Sequence, residues 1–165
     1  MKRLLNFFNK IENLFSILII SIIFFLDRYS KNIILERASN GEERLFINDF
    51  LNFDLVWNSG IGFGLLDLEA SVIYHVVSAF ILFIILFILV LMIKTKNNDK
   101  FFYALIIGGA FGNLYDRITY YSVPDFIDFH INDYHWFTFN IADIFISAGI
   151  ILLISNEIFL KNENN

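Results

Sequence analysis

Five aspartates fall between residues 108 and 143, in the run GGAFGNLYDRITYYSVPDFIDFHINDYHWFTFNIAD. They are Asp116, Asp125, Asp128, Asp133 and Asp143, and apolar segments flank the run on both sides. On insertion scales a carboxylate at helix-centre depth in a bilayer costs about 2.5–3.5 kcal/mol, so acids here are candidates for chemistry. Two carboxylates facing one another in a partly dry site do not both ionise cheaply; one keeps its proton and the pair titrates as a unit. Such a pair suits peptide hydrolysis: the ionised member activates a water while the protonated member polarises the scissile carbonyl. Asp125 and Asp143 sit where the chain leaves and re-enters apolar sequence, which makes them the first candidates. Spacing alone leaves Asp128 and Asp133 open as partners. It also leaves open a small proton-coupled transporter that uses an intramembrane Asp relay.

Other chemistries are narrowed by composition. The chain has no cysteine, so disulfides, thiolate catalysis and Cys-based metal sites are excluded. No Ser stands beside an evident His–acid relay. A net charge of -5, with no basic stripe, argues against nucleic acid.

The elements that must position the acids are apolar. Of 165 residues, 57% are hydrophobic and 21 are Phe, and the mean hydropathy is +0.62. These values imply an integral membrane protein of one domain, residues 1–165. Four spans are expected, at about 12–31, 70–93, 101–118 and 140–160. The first follows a basic N-terminus and could be a signal peptide, but no small-x-small cleavage site follows, so an uncleaved span is expected. Asp27 and Lys31 stand at i,i+4 in the favourable order for an ion pair, and a snorkelling pair that ends this span is the simplest account.

Residues 32–69 then read as a polar loop with a strand-like core. Phe53, Leu55 and Trp57 alternate with polar neighbours before NSGIGFG, whose glycines permit a tight turn. The third span is short. Gly108 and Gly112 form a small-xxx-small contact, while Gly109, Asn113 and Arg117 share a face. Residues 118–139 read as an aromatic, acidic outer segment, with His130, His135 and Trp136 at the interface. The fourth span carries Asn140, Asp143 and Ser147 on one face. The fold class expected is thus an all-α polytopic membrane protein of four transmembrane helices, with a small extracytoplasmic β-sheet and a periplasmic loop or helix.

Seven of the twelve Lys and Arg lie in the N-terminus, the 94–100 turn and the tail. By the positive-inside rule both termini are cytoplasmic and the long loops lie outside. Thirteen of the seventeen acids then fall on the outer side.

Five ordered blocks carry a resemblance: Asp27-x-x-x-Lys31, Asn58-x-Gly60-x-x-Phe63, GGAFGNLYDR at 108–117, VPDFI at 123–127 and FNIAD at 139–143. Over nearly its whole length the chain resembles the bacterial lipoprotein signal peptidases (signal peptidase II), four-span aspartic peptidases of the inner membrane. The resemblance implies that Asp125 and Asp143 are catalytic. It implies supporting or substrate-binding roles for Asn58, Gly60, Asn113, Asp116, Arg117, Asn140, Asp27 and Lys31, with no metal and no cofactor. The implied substrate is a prolipoprotein bearing a diacylglyceryl-modified Cys, cut on the N-terminal side of that Cys at the outer leaflet by an enzyme that works as a monomer. Asp128 and Asp133 become solvated loop charges on this reading. Asn113 and Arg117 are placed to hold substrate carbonyls, while Asp116–Arg117 could equally be a structural ion pair. Ile61–Gly62 and Pro124 depart from the family pattern, which bears on the shape of the substrate groove.

Overall fold

The computed structural model describes residues 11–42, 44–60, 70–95, 99–132 and 134–163. In chain order they form α1 (Ile11–Ser39), β1 (Arg44–Asn48), β2 (Leu51–Asn58), α2 (Ala70–Lys94), α3 (Asp99–Tyr120), β3 (Val123–Ile131), β4 (Tyr134–Phe139) and α4 (Ile141–Glu163). Helix α3 is the hub and packs against α1, α2 and α4. Its glycines explain the close approach. A Cβ on Gly108 would stand 2.9 Å from the Ile23 Cβ of α1, and one on Gly109 would overlap the Ala142 carbonyl oxygen of α4. The small-xxx-small face therefore meets α1, as the spacing suggests.

The helices are apolar outside as well as inside. Ile85, Met92, Ala104, Ile107 and Leu114 form a core between α2 and α3, while Phe80, Phe83, Phe87, Ile151 and Phe159 point outward, exposed. Two stretches, Tyr74–Lys94 and Ile141–Phe159, have the length and apolarity to cross a membrane. α1 and α3 carry buried charge instead, and their apolar runs are interrupted by it.

The four strands form one antiparallel sheet in the order β1-β2-β3-β4. This differs from the all-α expectation in two places. Residues 123–139 are a β-hairpin, not a loop or helix, and they supply half of the sheet. α1 also does not end at Asp27–Lys31 but continues to Ser39, where Ile34 packs under the sheet against Phe126 and Ile127. The strand expected around Phe53–Trp57 is present as β2. The NSGIGFG turn is described only as far as Gly60; Phe63 and the Ile61–Gly62 departure lie outside the described residues, as does Asp133.

Pro124 occupies the second position of the interior strand β3. Proline cannot donate to a ladder and is tolerated near a strand's start.

Candidate active site

The site is built where β3 ends α3's polar face and α4 begins. Asn140 is the residue before α4, and its side chain caps the helix. Asn140 Oδ1 accepts from the Asp143 backbone N–H at 3.0 Å, and Asp143 Oδ2 accepts from the Asn140 backbone N–H at 3.1 Å. This reciprocal pattern is a capping box, which satisfies donors the helix start would otherwise leave orphaned. A third donor, the Ala142 N–H, is taken by Asp27 Oδ1 of α1 at 3.0 Å. The start of α4 is thus clamped from two sides, and Asp143 has little freedom.

Asp125 faces the same cap. Asn140 Nδ2 donates to Asp125 Oδ1 at 2.5 Å, and Asn58 Nδ2 donates to Asp125 Oδ2 at 2.9 Å. Asn58 is itself aimed by its turn, because its Oδ1 accepts from the Gly60 N–H at 2.9 Å. Gly60 has φ +73°, a left-handed conformation that favours glycine. A Cβ there would also stand 3.0 Å from Arg117 Nη1. Arg117 reaches the Ser59 carbonyl at 3.5 Å, so it supports the turn that carries Asn58. Burial pushes the Asp125 carboxyl above the usual range, and the charge of Asp143 adds to this; the two amide donors and Lys31 oppose it.

Beneath this pair lies a second charge cluster, wholly enclosed. Lys31 spends its three ammonium hydrogens on Asp27 Oδ2 at 2.9 Å, Asn113 Oδ1 at 2.9 Å and Asp116 Oδ2 at 2.7 Å. Arg28 pairs with Asp116 at 2.5 Å and Asp27 at 3.1 Å, and lies over the Tyr115 ring at 4.8 Å. Two cations thus balance two carboxylates. The cluster reaches the first pair through Asn113: with its oxygen held by Lys31, its Nδ2 donates to Asp143 Oδ1 at 2.8 Å. Gly112 makes room, since a Cβ there would stand 2.5 Å from Asp27 Oδ2.

Every expected site residue lies in this region, but several roles change. Asp27 and Lys31 do not snorkel; both are completely buried, because their partners come from α3 and α4. Asp116 pairs with Lys31 and Arg28, not with Arg117. Both ends of the Asn113 amide are committed within the protein, so it orients Asp143 where a contact to substrate was expected. Asp128 is not a solvated loop charge: it is 2% exposed, with both oxygens 2.8 Å from His135 Nδ1 on the neighbouring strand. His130 is buried too, while His135 and Trp136 are exposed.

Arg28 was not among the expected residues. Its signal was present, since it stands beside Asp27 in DRYSK, a second cation next to a membrane-embedded acid.

An open groove of about 550 Å³ runs along α4 from Asp143, lined by Phe137, Phe139, Ile144, Ser147, Ala148 and Ile151. A helical bundle apolar on its outside, with a carboxylate at the head of an apolar groove, is the make-up of a membrane protein with an acid site facing an apolar surface. Comparison with known proteins makes the class specific. Residues 19–159 match the family model described as signal peptidase (SPase) II. The lipoprotein signal peptidase of Pelagibacter ubique is 47% identical over 149 residues, covering 90% of each chain. That of Francisella tularensis subsp. mediasiatica is 36% identical over 141 residues, 83% of this chain and 85% of the relative. Two solved structures described as bacterial membrane enzymes superpose with TM-scores of 0.69 and 0.70, at 28% and 31% identity. They cover 91% and 86% of this chain, and 91% and 90% of their own. The chain belongs to the signal peptidase II family. It is a membrane peptidase, which sets the transporter reading aside.

Proposed function

We infer that this protein removes signal peptides from prolipoproteins as an aspartic endopeptidase, with Asp125 and Asp143 as the catalytic pair. The observation that carries the assignment is the Asn140 side chain, which donates to Asp125 while capping the helix that bears Asp143. The environments of the two acids divide their roles. Asp125 is 3% exposed, and burial favours its protonated form. Asp143 is half-buried, sits at a helix N-terminus and accepts from Asn113, and we assign it the role of base. Asp143 then takes a proton from the attacking water while Asp125 donates its proton to the scissile carbonyl oxygen, giving a neutral tetrahedral diol. Collapse returns a proton to Asp125 and passes the other from Asp143 to the leaving amine. No acyl-enzyme forms.

The substrate carries a diacylglyceryl group on the Cys that follows the scissile bond. The groove beside Asp143 is apolar and opens toward the outward, lipid-facing side of α4, which suits such a lipid. On this reading the whole chain is one membrane domain of four spans, in the bacterial inner membrane. Both termini are cytoplasmic and the site lies at the outer leaflet, as the basic residues suggest. Every residue of the proposed site comes from one chain, so a monomer suffices.

The test is cleavage of a lipidated prolipoprotein by purified protein in detergent. Wild type cuts it and leaves the unlipidated precursor largely intact. Equal cleavage of both precursors would refute the lipid-anchored substrate, and full activity in Asp143→Asn would refute the catalytic pair.

A further inference from the structure

The β3–β4 hairpin carries a second constellation that peptide hydrolysis does not use. Asp128 and His130 are two apart on β3, so regular strand alternation sets them on one face. His135 on β4 pairs directly with His130, next to an irregularity in register between Phe129 and His130. Such bulges re-aim side chains. One ligand atom from each of the three residues can be chosen so that all lie within 4.8 Å of one another. The imidazoles are stacked, their centroids 5.3 Å apart, and both turn Nδ1 toward the carboxylate. His135 Nδ1 is 2.8 Å from both Asp128 oxygens, and His130 Nδ1 is 3.5 Å from Oδ2.

The charge balance of this cluster is unusual. Asp128 is buried, yet among the described residues its only partners within ion-pair distance are these two imidazoles. Arg44 pairs with Asn52: in the amide orientation that satisfies both ends of Asn52, Asn52 accepts from Arg44 Nη2 at 2.9 Å. A buried carboxylate is stabilised by a cation, and a metal ion held between the three groups would supply one.

We propose that Asp128, His130 and His135 bind a divalent transition-metal ion of the zinc type on the outer sheet. The donor set, two imidazoles and a carboxylate, is that of three-ligand zinc sites. Bonds of about 2.0–2.2 Å from a tetrahedral centre set ligand atoms roughly 3.3–3.5 Å apart. The His130–Asp128 separation already matches, and the His135–Asp128 pair needs to open by roughly half an ångström. The wholly buried Asn52 amide packs against the His130 ring, 3.4 Å from Nδ1 and 3.5 Å from Nε2, and limits its movement. The half-exposed His135 leaves the ion a path from solvent and a fourth position for water. Because Asp128 lies three residues after Asp125 on β3, the ion braces the strand that carries Asp125 rather than taking part in hydrolysis.

The test uses the full chain in detergent, with an affinity tag free of histidine, stripped by chelator and titrated calorimetrically with Zn2+ alone. One ion per chain binds and raises the unfolding temperature. His135→Ala lowers affinity by more than about 100-fold, since outer-shell partners alone are worth about 10–100-fold. Asp128→Asn, which keeps the shape but removes the charge, has a similar effect, and His75→Ala has none. Absence of saturable binding overturns the site. So does wild-type affinity in His135→Ala, or equal competition by Mg2+.

Discussion

Two carboxylate pairs in this molecule are joined through Asn113, and they are held in opposite ways. Asp27 and Asp116 are enclosed with Lys31 and Arg28, charge against charge, and every hydrogen of the lysine is used. Among the described residues Asp125 and Asp143 receive only neutral donors: the amides of Asn58, Asn113 and Asn140 and one backbone N–H. In the enclosed cluster each carboxylate meets a cation. A pair held by amides keeps the tension between its two charges, and burial favours the protonated form of Asp125. On the proposed mechanism the same side-chain type serves as framework in one place and as reagent in the other, and the partners decide which.

The largest effect follows from breaking the framework. Lys31→Met leaves Asp27 and Asp116 buried beside a single arginine, and removal of one partner from a buried pair costs about 3–5 kcal/mol. Thermal unfolding in detergent should drop accordingly, and cleavage should fall with it because Asn113 loses its anchor. Gly112→Ala is milder. Its Cβ would press on Asp27, and overpacking of this kind costs about 1–3 kcal/mol; unfolding measurements should show it.

Asn58→Ala acts on the other pair and separates the two regions more sharply. Its amide favours the ionised carboxylate, so without it the Asp125 carboxyl rises further. Because Asp125 works protonated, the alkaline limb of the pH–rate profile should move to higher pH, while stability changes little at this exposed position. If the acid limb moves to higher pH instead, Asp125 works ionised and the assignment of the proton reverses. At the small end, Glu42→Gln removes a surface pair with Arg37 and should stay within about 1 kcal/mol by thermal unfolding.

Much of the amide-held pair was legible in the chain, because each residue sits in a short block: Asn58 before its glycine turn, Asn113 in GGAFGN, Asp125 in PDFI, Asn140 and Asp143 in FNIAD. The charge cluster was legible only in part. Asp27–Lys31 looks like the end of a helix because charges usually end spans; here their partners, Asp116 and Ala142, lie far along the chain, and α1 runs on. Residues 123–131 hide a strand for a similar reason. Buried from Val123 to Asp128 between β2 and β4, the segment shows no alternation, and its acids and histidine are ones that strands seldom hold unless partners enclose them. Asp128 was misjudged as solvated because the ring that covers it, His135, comes from the far arm of the hairpin.

The contrast between framework and reagent meets its most direct test in Asp125→Asn, assayed for cleavage and thermal unfolding on the same sample. Burial raises the Asp125 carboxyl in the folded state. Its ionisation therefore costs stability as pH rises above the unfolded value and through the raised one, and the neutral amide escapes that cost. Cleavage of lipidated precursor should fall by at least about 10²–10⁴-fold, with a melting temperature at neutral pH equal to or above wild type. A variant that unfolds earlier than wild type, or one that still cleaves at a comparable rate, would contradict the account.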